Sequence, residues 1–586
     1  MKRPRKTPSL QHSHAMRFGA EYHAGTTRFR LWAPACASVT LRLDGEPDRP
    51  MQPQPGGWFA TERACRPGAR YRFVLPDGLA IPDPASRAQS GGLHGWSVVV
   101  DPHAYRWQHA AAARPWHEAV IWEAHAGLLG GFDGLRARLP ELAALGITAI
   151  ELMPIAAFPG ARNWGYDGAL AFAPAEAYGP PASLKALIDA AHGLGLAMLL
   201  DVVYNHFGPD GNYLHRTAPQ FFTHDRKTAW GDALDFTRPE VAEFFTQNAL
   251  YWLNEYRFDG LRLDAVQAIL PPPALPALGR AIRAGVGRPV QLILENERNQ
   301  AELLGGHPFT AQWNDDLHHC LHVLLTGETE AYYADYAEAP AERLARCLRE
   351  GFAYQGEMSV NLGHRRGTPS GQLPPTAFVS FTQNHDHVGN RAMGERLLSL
   401  AEPEAVRAAM ALVLLCPQIP MLFMGEEIGS RSPFLFFTDH PPELAEAVRR
   451  GRRAEFARFA AFADPSRRAS IPDPNAESTF TASIPAPAAD GFDWPGFIRT
   501  LLAARAAHIA PHLPGSHAIA AAALGPAAVA ACWQLGDGST LHLACNLGPV
   551  TLPWQPPPGV TPIAATSGAA AGSLPARTTL AWRRSP

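Results

Sequence analysis

Eight apolar segments of strand length alternate with segments of helical periodicity through the middle of this chain, and this alternation constrains the fold most. In chain order they read AVIWEAH, ITAIELMP, AMLLDVVYNH, DGLRLDAV, QLILEN, FTAQWND, AFVSFTQNHD and IPMLFMGEE. Strands that are apolar along their whole length belong to parallel sheets covered by helices. Eight of them with helical connections predict an α/β fold, a (β/α)8 TIM barrel with insertions.

The flanks of the predicted barrel have a different pattern, that of short alternating strands separated by turns. TRFRLWAP, SVTLRL, WFATE and RYRFVL predict an N-terminal β-sandwich over residues 17–105. AVAACWQL, TLHLACNL and ARTTLAW predict a C-terminal antiparallel β-domain over 486–586, which leaves 106–485 for the barrel. Residues 1–16 are basic without an apolar core, so we expect a disordered tail and take Met16 as an alternative start.

Composition excludes several function classes. The chain has 586 residues, 46% of them hydrophobic and 18% charged, with a formal net charge of -3. Neither nucleic acid nor membrane is therefore expected as a partner, and no apolar run is long enough to span a bilayer. The seven cysteines form no C-x-x-C pair, so we expect no disulfide framework or zinc site, and a cytoplasmic location.

Polar residues collect at the ends of successive predicted strands. The third ends with Asp201, Asn205 and His206, the fourth with Arg262 and Asp264, the fifth with Glu295, and the seventh with His385 and Asp386. For one charged pair such as Arg262 and Asp264, a solvated face is the default interpretation. Four clusters at the same end of a barrel outweigh it, because catalytic groups lie at the carboxyl ends of barrel strands.

Carboxylates converging at a barrel mouth suit glycoside hydrolysis, in which one acts as nucleophile and a second as acid/base. Arg262 shares a strand face with Asp264 and favours its ionised form, which a nucleophile needs. Glu295 ends the next strand, where apolar neighbours and nearby acids raise the pKa of a carboxyl toward that of a proton donor.

The motif set DVVYNH, DGLRLDAV, LEN and NHD resembles that of the α-amylase superfamily, glycoside hydrolase family 13. The resemblance covers roughly residues 110–460, and its flanking domains imply an E-set, carbohydrate-binding-like sandwich before the barrel. It implies that Asp264 is the nucleophile, Glu295 the acid/base and Asp386 the third, transition-state-stabilising acid. It further implies substrate contacts from these residues: Arg262, His206, His385, the aromatic platform Tyr166 and its neighbour Asp167.

No cofactor is implied. Asn205 matches a calcium ligand of many amylases, but too few other oxygen ligands accompany it, so we expect no metal site.

A second set of segments is similar to the trehalose-releasing branch of the superfamily. These segments are NWGYDG, ENERN, AQWNDDLHHCLHVLLTGETEAYYADY, FTDHPPELAEAVRRGRRAEF and IPDPASRAQSGGLHGWSVVVDP. The similarity implies hydrolysis of the α-1,4 bond next to the terminal trehalose of maltooligosyl-trehalose, in trehalose biosynthesis. It also implies functional coupling to a maltooligosyl-trehalose synthase. Two departures are a short HAGLLGGFDG segment after the first strand and His387, where glutamine is commoner.

Recognition of a bent trehalose end needs a wall at the leaving-group side of the site. We expect that wall from the loop FGPDGNYLHRTAPQFF and from the QWNDDLHH region, with Trp313, Asp315 and Asp316 as candidate contacts. Packing of these three residues within loops is the alternative.

Two other functions stay open at this point. One is a glycogen debranching or branching enzyme of the same superfamily, which also carries an N-terminal β-sandwich. The other is a carbohydrate-binding protein on an inactive barrel, which is disfavoured because all three carboxylates are present. A transferase shares the covalent intermediate with a hydrolase.

Overall fold

The computed structural model describes residues 12–112, 114–228, 231–306, 308–568 and 572–586. Its centre is a closed barrel of eight parallel strands, and each of the eight predicted segments contains one of them. The barrel strands, numbered one to eight in chain order, are Ile121–Ala124, Ala149–Leu152, Ala197–Val202, Gly260–Leu263, Gln291–Leu294, Ala311–Trp313, Phe378–Ser380 and Ile419–Phe423. The predicted fold class is confirmed.

The barrel strands pair in chain order, so their carboxyl ends meet at one mouth. Register places Glu123 of strand one beside Glu151 of strand two, and Asp201 of strand three beside Arg262 of strand four. Side chains of neighbouring strands at one register level point to the same side of a sheet. The sequence has therefore placed several charged groups at matching levels of neighbouring strands.

Helices surround the barrel. The longer ones are Gly131–Leu145, Pro181–Gly193, Pro239–Leu250, Ala274–Gly285, Asp315–Thr326, Pro340–Glu350, Pro403–Leu415 and Trp494–His508. Several begin with proline, whose fixed φ and missing N–H suit the first helical turn. Among the residues described between strands five and six, the only helical element is the 3-10 turn Ala301–Leu303. The expected helix at that place is thus reduced to one turn.

The helix Trp494–His508 packs against the helices Gly131–Leu145 and Pro403–Leu415, which flank the first and last barrel strands. It therefore closes the ring of helices, although the predicted barrel boundary at 485 assigned it to the C-terminal domain. Its buried side chains Trp494, Ile498 and Leu501 join the barrel core. The helix lies between residue 485 and AVAACWQL, the first segment that predicts a C-terminal strand, so the strand pattern did not indicate to which domain the helix belongs.

The N-terminal domain is a sandwich of two antiparallel sheets. One contains Gly19–His23, Thr26–Trp32, Gln52–Gln54 and Trp58–Ala64; the other contains Thr40–Leu43, Arg49–Pro50, Arg70–Val74, Ala80–Ile81, Gln89–Ser90 and Trp96–Val98. Phe29, Leu41 and Phe73 belong to the core between them.

Of the predicted disordered tail, residues 1–11 lie outside the described residues. His14 hydrogen-bonds Gln247 and Met16 is buried in the barrel core, so ordered chain begins before residue 17.

The C-terminal domain is a five-stranded antiparallel sheet of His517–Gly525, Ala528–Gln534, Thr540–Asn546, Thr561–Ala565 and Thr578–Arg584. It packs on the helices Pro340–Glu350 and Pro403–Leu415. Within the described ranges, no helix combines the length and the apolar character that crossing a membrane requires.

Long connections between these elements contain further strands and helices, most of them short. These include the strand pairs Ala156–Ala157 with Leu170–Pro174, Phe222–Thr228 with Gly231–Leu234, and Glu357–Met358 with Arg365–Arg366. They also include the helices Leu214–Thr217, His385–Gly389, Leu397–Leu400, Pro442–Glu455, Pro465–Ala469 and Glu477–Ala482.

Candidate active site

Arg262 is the centre of the candidate site. Its side chain is 1% exposed, and its two terminal nitrogens contact three carboxylates. Nη1 lies 2.6 Å from Asp201 and 3.0 Å from Asp264, while Nη2 lies 2.7 Å from Glu295. Burial disfavours the charge on Arg262, but the surrounding carboxylates, Asp201 foremost, outweigh burial and raise its pKa well above the ordinary value. The arginine is therefore a permanent cation that holds the ends of strands three, four and five together.

Asp264 follows strand four and its side chain is 11% exposed at the mouth. Besides Arg262, its carboxylate accepts a hydrogen bond from Asn205 Nδ2 at 2.8 Å, and the same amide also reaches the Asp264 carbonyl at 2.7 Å. Two donors from neighbouring strand ends thus fix the position of the Asp264 carboxylate.

Glu295 is held from the side of strand four. Its Oε2 accepts a hydrogen bond from the Ala265 backbone N–H at 2.9 Å as well as one from Arg262. Ala265 adopts φ 40, a left-handed conformation that is unusual for a residue with a Cβ. Strain of this kind collects at functional sites, and here it aims an N–H at the second carboxylate.

Burial raises the pKa of Glu295 above its ordinary value; Arg262 opposes the rise and Asp264 adds to it. Burial also raises the pKa of Asp386, against the effect of His385 and with that of Glu295. The pKa of Asp315 lies well above its ordinary value because of burial and then of Glu295. Asp315 is thus close enough to Glu295 for the carboxylate of one to raise the pKa of the other. The site can supply a proton from a carboxylic acid.

His385 and Tyr166 form the other side of the cluster. The Tyr166 hydroxyl donates to Asp201 at 2.6 Å and lies 2.9 Å from His385 Nε2. The two rings stack at 22° with centroids 5.2 Å apart. Burial raises the pKa of Asp201 to about 7, opposed by Arg262. Tyr166 is partly exposed, as the predicted aromatic platform requires.

Asp167 and His206 lie around Tyr166. Asp167 is 21% exposed, accepts from Asn163 at 2.6 Å and lies 3.4 Å from His440. His206 is buried, with Nδ1 on the Asn205 side-chain oxygen and Nε2 3.0 Å from the Tyr166 carbonyl. In this structure the His206 ring nitrogens contact protein atoms, so His206 orients the residue that holds Asp264.

Two of the predicted wall residues are not at the surface of the site. Trp313 is 1% exposed inside the barrel, and the Arg262 guanidinium lies 4.0 Å above its ring. Asp316 is also 1% exposed; it pairs with Arg366 and accepts hydrogen bonds from the backbone N–H groups of Ala353 and Tyr354. The burial of both side chains favours the alternative, packing within the protein, over substrate contact for Trp313 and Asp316. Asp315, whose side chain is 20% exposed, remains at the mouth.

The predicted wall loop after strand three contacts the N-terminal domain. Thr217 accepts a hydrogen bond from the Ala35 N–H at 3.1 Å, and the Tyr213 hydroxyl lies 2.8 Å from His94 Nδ1. The Trp32 ring packs on Phe221 with centroids 5.5 Å apart. This loop leaves the site at His206, so the sandwich fixes one edge of the mouth.

Three buried histidines next to the site, His318, His319 and His387, have ring nitrogens within 4.8 Å of one another. Burial lowers the pKa of each, and neutral imidazole is the form that binds metals. However, the rings of His318 and His387 stack at 3.7 Å and 29°. Ring lone pairs lie in the ring plane, so those of two stacked rings do not converge on one ion. The Asn205 side chain is likewise engaged with His206 and Asp264, which fits a positioning role better than calcium ligation.

Several residues of the site were not among the predicted site residues. Asp201 and Asn205 were visible as polar strand-end residues, whereas Ala265 acts only through its backbone. Glu123 lies within an apolar strand and contacts His385 262 positions away.

Comparison with known proteins identifies relatives along most of the chain. The sequence profile of the alpha amylase catalytic domain matches residues 101–230, and that of a domain of unknown function matches 516–582. The chain is 42% identical over 488 residues to a malto-oligosyltrehalose trehalohydrolase of Deinococcus radiodurans, covering 81% of this chain and 79% of that protein. It is 39% identical over 457 residues to one of Saccharolobus solfataricus, covering 75% and 80%.

Among solved structures, a Salmonella typhimurium protein that carries the provisional name alpha amylase superposes with a TM-score of 0.92 at 44% identity, covering 97% of this chain and all of that one. A pullulanase from Anoxybacillus sp. LM18-11 superposes with a TM-score of 0.71 at 18% identity, covering 98% of this chain and 88% of its own. At that identity the second likeness concerns the fold alone.

Proposed function

Because the chain belongs to the malto-oligosyltrehalose trehalohydrolase family within the α-amylase superfamily, we propose that it releases trehalose from maltooligosyl-trehalose. The reaction is hydrolysis of the α-1,4 bond next to the terminal trehalose unit, with retention of configuration. Asp264 is the nucleophile, Glu295 the acid/base and Asp386 the acid that stabilises the transition state. The carrying observation is the single buried guanidinium that contacts both Asp264 and Glu295.

In the first step the Asp264 carboxylate attacks the anomeric carbon, and the bond to the leaving oxygen breaks. Glu295 gives its proton to that oxygen, so trehalose leaves neutral. The raised pKa of Glu295, caused by burial, keeps this proton available above the ordinary range of a carboxylic acid. Arg262 and Asn205 hydrogen-bond the Asp264 carboxylate and hold it in place for attack.

In the second step Glu295 takes a proton from water, the water oxygen bonds the anomeric carbon, and the ester to Asp264 breaks. Two displacements at one carbon return the original configuration. Retaining enzymes need the two carboxyl groups about 5 to 5.5 Å apart, and the sharing of one guanidinium fits this short separation.

Selection for the trehalose end rests on polar groups that a linear chain leaves unpaired. Asp315 lies at the mouth beside Glu295 and Asp386 and is the candidate contact for a leaving-group hydroxyl. A buried polar group without its partner costs about 1–3 kcal/mol, which corresponds to roughly a fivefold to 160-fold preference.

The test is a digest of maltooligosyl-trehalose and of maltooligosaccharide of equal length, followed by chromatography. We expect free trehalose from the first, with kcat/KM at least about tenfold above that for the second. Equal release of glucose or maltose from uncapped chains would make the enzyme a general amylase.

A glycogen branching enzyme is the second candidate. The chain is 36% identical over 279 residues to a 1,4-alpha-glucan branching enzyme of Burkholderia thailandensis, covering 42% of this chain and 33% of that protein. This partial match supports a shared barrel chemistry. New α-1,6 linkages in the products of an amylose incubation would favour this candidate.

The substrate must come from a reaction that converts the reducing end of a maltooligosaccharide into an α,α-1,1 linkage. We infer functional coupling to a maltooligosyl-trehalose synthase, and hence a role in trehalose biosynthesis. The free cysteines, among them the partly buried Cys36 and Cys65, favour a cytoplasmic location.

A further inference from the structure

We propose that Glu123 is a positioning residue for this hydrolysis, which holds His385 as a cation and fixes the backbone before Asp386. The inference rests on the proposed function for the roles of His385 and Asp386. It assigns a task to an acid on barrel strand one, far along the chain from the three catalytic acids.

Glu123 contacts His385 in two ways. Its Oε2 accepts a hydrogen bond from the His385 backbone N–H at 3.0 Å, and its Oε1 lies 2.5 Å from His385 Nδ1. The Glu123 side chain is 1% exposed and that of His385 3%. A carboxylate on Nδ1 fixes the ring orientation and leaves Nε2 directed at the Tyr166 hydroxyl. Asp386 is the next residue, so the backbone contact also sets its position.

The charges around His385 come from several elements. They are Glu123 on strand one, Asp386 on its own helix, Arg262 on strand four, Glu295 after strand five, His125 after strand one, and the Tyr166 hydroxyl. Burial opposes the cation, but Glu123 outweighs it together with Asp386, and the pKa of His385 is raised. Without Glu123, burial and Arg262 would hold that pKa down. Among the groups that favour the imidazolium, Glu123 contributes most.

The neighbouring acid Glu151 shows that placement in the barrel does not by itself create this role. Glu151 is the register partner of Glu123 on strand two and is also 1% exposed. Neither of its carboxyl oxygens has a hydrogen-bond partner among the described residues. Burial, followed by Glu123 and Asp201, raises the pKa of Glu151 well above its ordinary value. Glu151 is therefore a neutral acid, and it provides a matched control.

The cation has a chemical purpose at this position. Asp264, Glu295 and Asp386 converge on a site that also contains the buried cation Arg262. A second positive charge beside Asp386 favours its ionised form. A neutral His385 would leave Asp386 more readily protonated and less able to stabilise positive charge at the anomeric carbon.

The experiment measures kcat/KM against pH for an α-maltooligosyl fluoride. Fluoride needs little protonation to leave. Deprotonation of Glu295 therefore contributes little to the fall of kcat/KM at high pH, which is the alkaline limb of the profile. Cleavage of this substrate also does not depend on a trehalose end. The digest of maltooligosyl-trehalose by the wild type tests the proposed specificity separately. Failure of that proposal is thus distinguishable from failure of this inference.

Glu123→Gln keeps the side-chain size and removes the charge, and its alkaline limb should move about 1–3 pH units lower. Glu151→Gln replaces a neutral acid by a neutral amide and should leave the limb in place. Glu123→Asp retains charge with a shorter reach, so it should lower kcat/KM without moving the limb. Circular dichroism and melting temperature establish folding for each.

An unmoved limb in a folded Glu123→Gln overturns the proposal, as does an equal shift in Glu151→Gln. If Glu123→Gln does not fold, the test rests on Glu123→Asp. An unchanged kcat/KM of Glu123→Asp also overturns the proposal.

Discussion

Asp264→Ala separates the chemistry of the site from its stability. Arg262 loses one carboxylate but keeps Asp201 at 2.6 Å and Glu295 at 2.7 Å, so its buried charge stays paired. One charge-assisted hydrogen bond to the guanidinium is worth about 1.5–3 kcal/mol, and the folded protein should survive that loss. The covalent intermediate can no longer form, so kcat should fall by about 10⁴-fold or more. This loss corresponds to an increase of at least roughly 5.4 kcal/mol in the activation free energy.

The assay is trehalose release from maltooligosyl-trehalose, with and without sodium azide. Removal of the carboxylate leaves space for azide, which should restore turnover by direct attack and give a glycosyl azide of inverted configuration. Proton NMR shows that configuration, and circular dichroism shows that the variant is folded. Activity of Asp264→Ala within tenfold of wild type, or an azide product with retained configuration, would refute the nucleophile assignment.

Other predictions concern Glu295, Asp316 and the pH profile. Glu295→Gln should be nearly inactive on natural substrate and partly active on a glycosyl fluoride, since fluoride needs little protonation; equal loss on both argues against the acid role. Because the pKa of Glu295 is raised by burial, its protonated form persists above the ordinary range, and activity on natural substrate should fall as pH rises through the folded value. Asp316→Ala leaves Arg366 buried without its carboxylate and should destabilise the fold by about 3–5 kcal/mol, seen as a lower melting temperature. An unchanged melting temperature would mean that the ion pair between Asp316 and Arg366 does not stabilise the fold.

The sequence was informative where local pattern and chemistry coincide. Each barrel strand lies in a mainly apolar segment, and Asp264 and Glu295 follow such segments directly, so strand and acid were recognisable together. In a parallel barrel the carboxyl ends of strands must meet, which brought these acids together without knowledge of distances.

The sequence did not indicate which individual side chains at the strand ends are buried. Trp313 ends a strand of three residues, too short for alternation to indicate which face it occupies. Asp316 is held by Arg366, fifty positions later, and by backbone N–H groups at 353 and 354. Glu123 likewise contacts a residue that is distant along the chain, His385, which follows strand seven. Such partners follow from the closure of the barrel, which no local window contains.

The bonds between the wall loop and the N-terminal sandwich make the boundary near residue 105 a poor place to cut the chain. Ala35 and His94 belong to the sandwich, yet they hold Thr217 and Tyr213 of a loop that begins at the catalytic mouth. The sandwich is therefore part of the framework that supports the barrel mouth. An isolated barrel would retain its acids and lose the support of one rim.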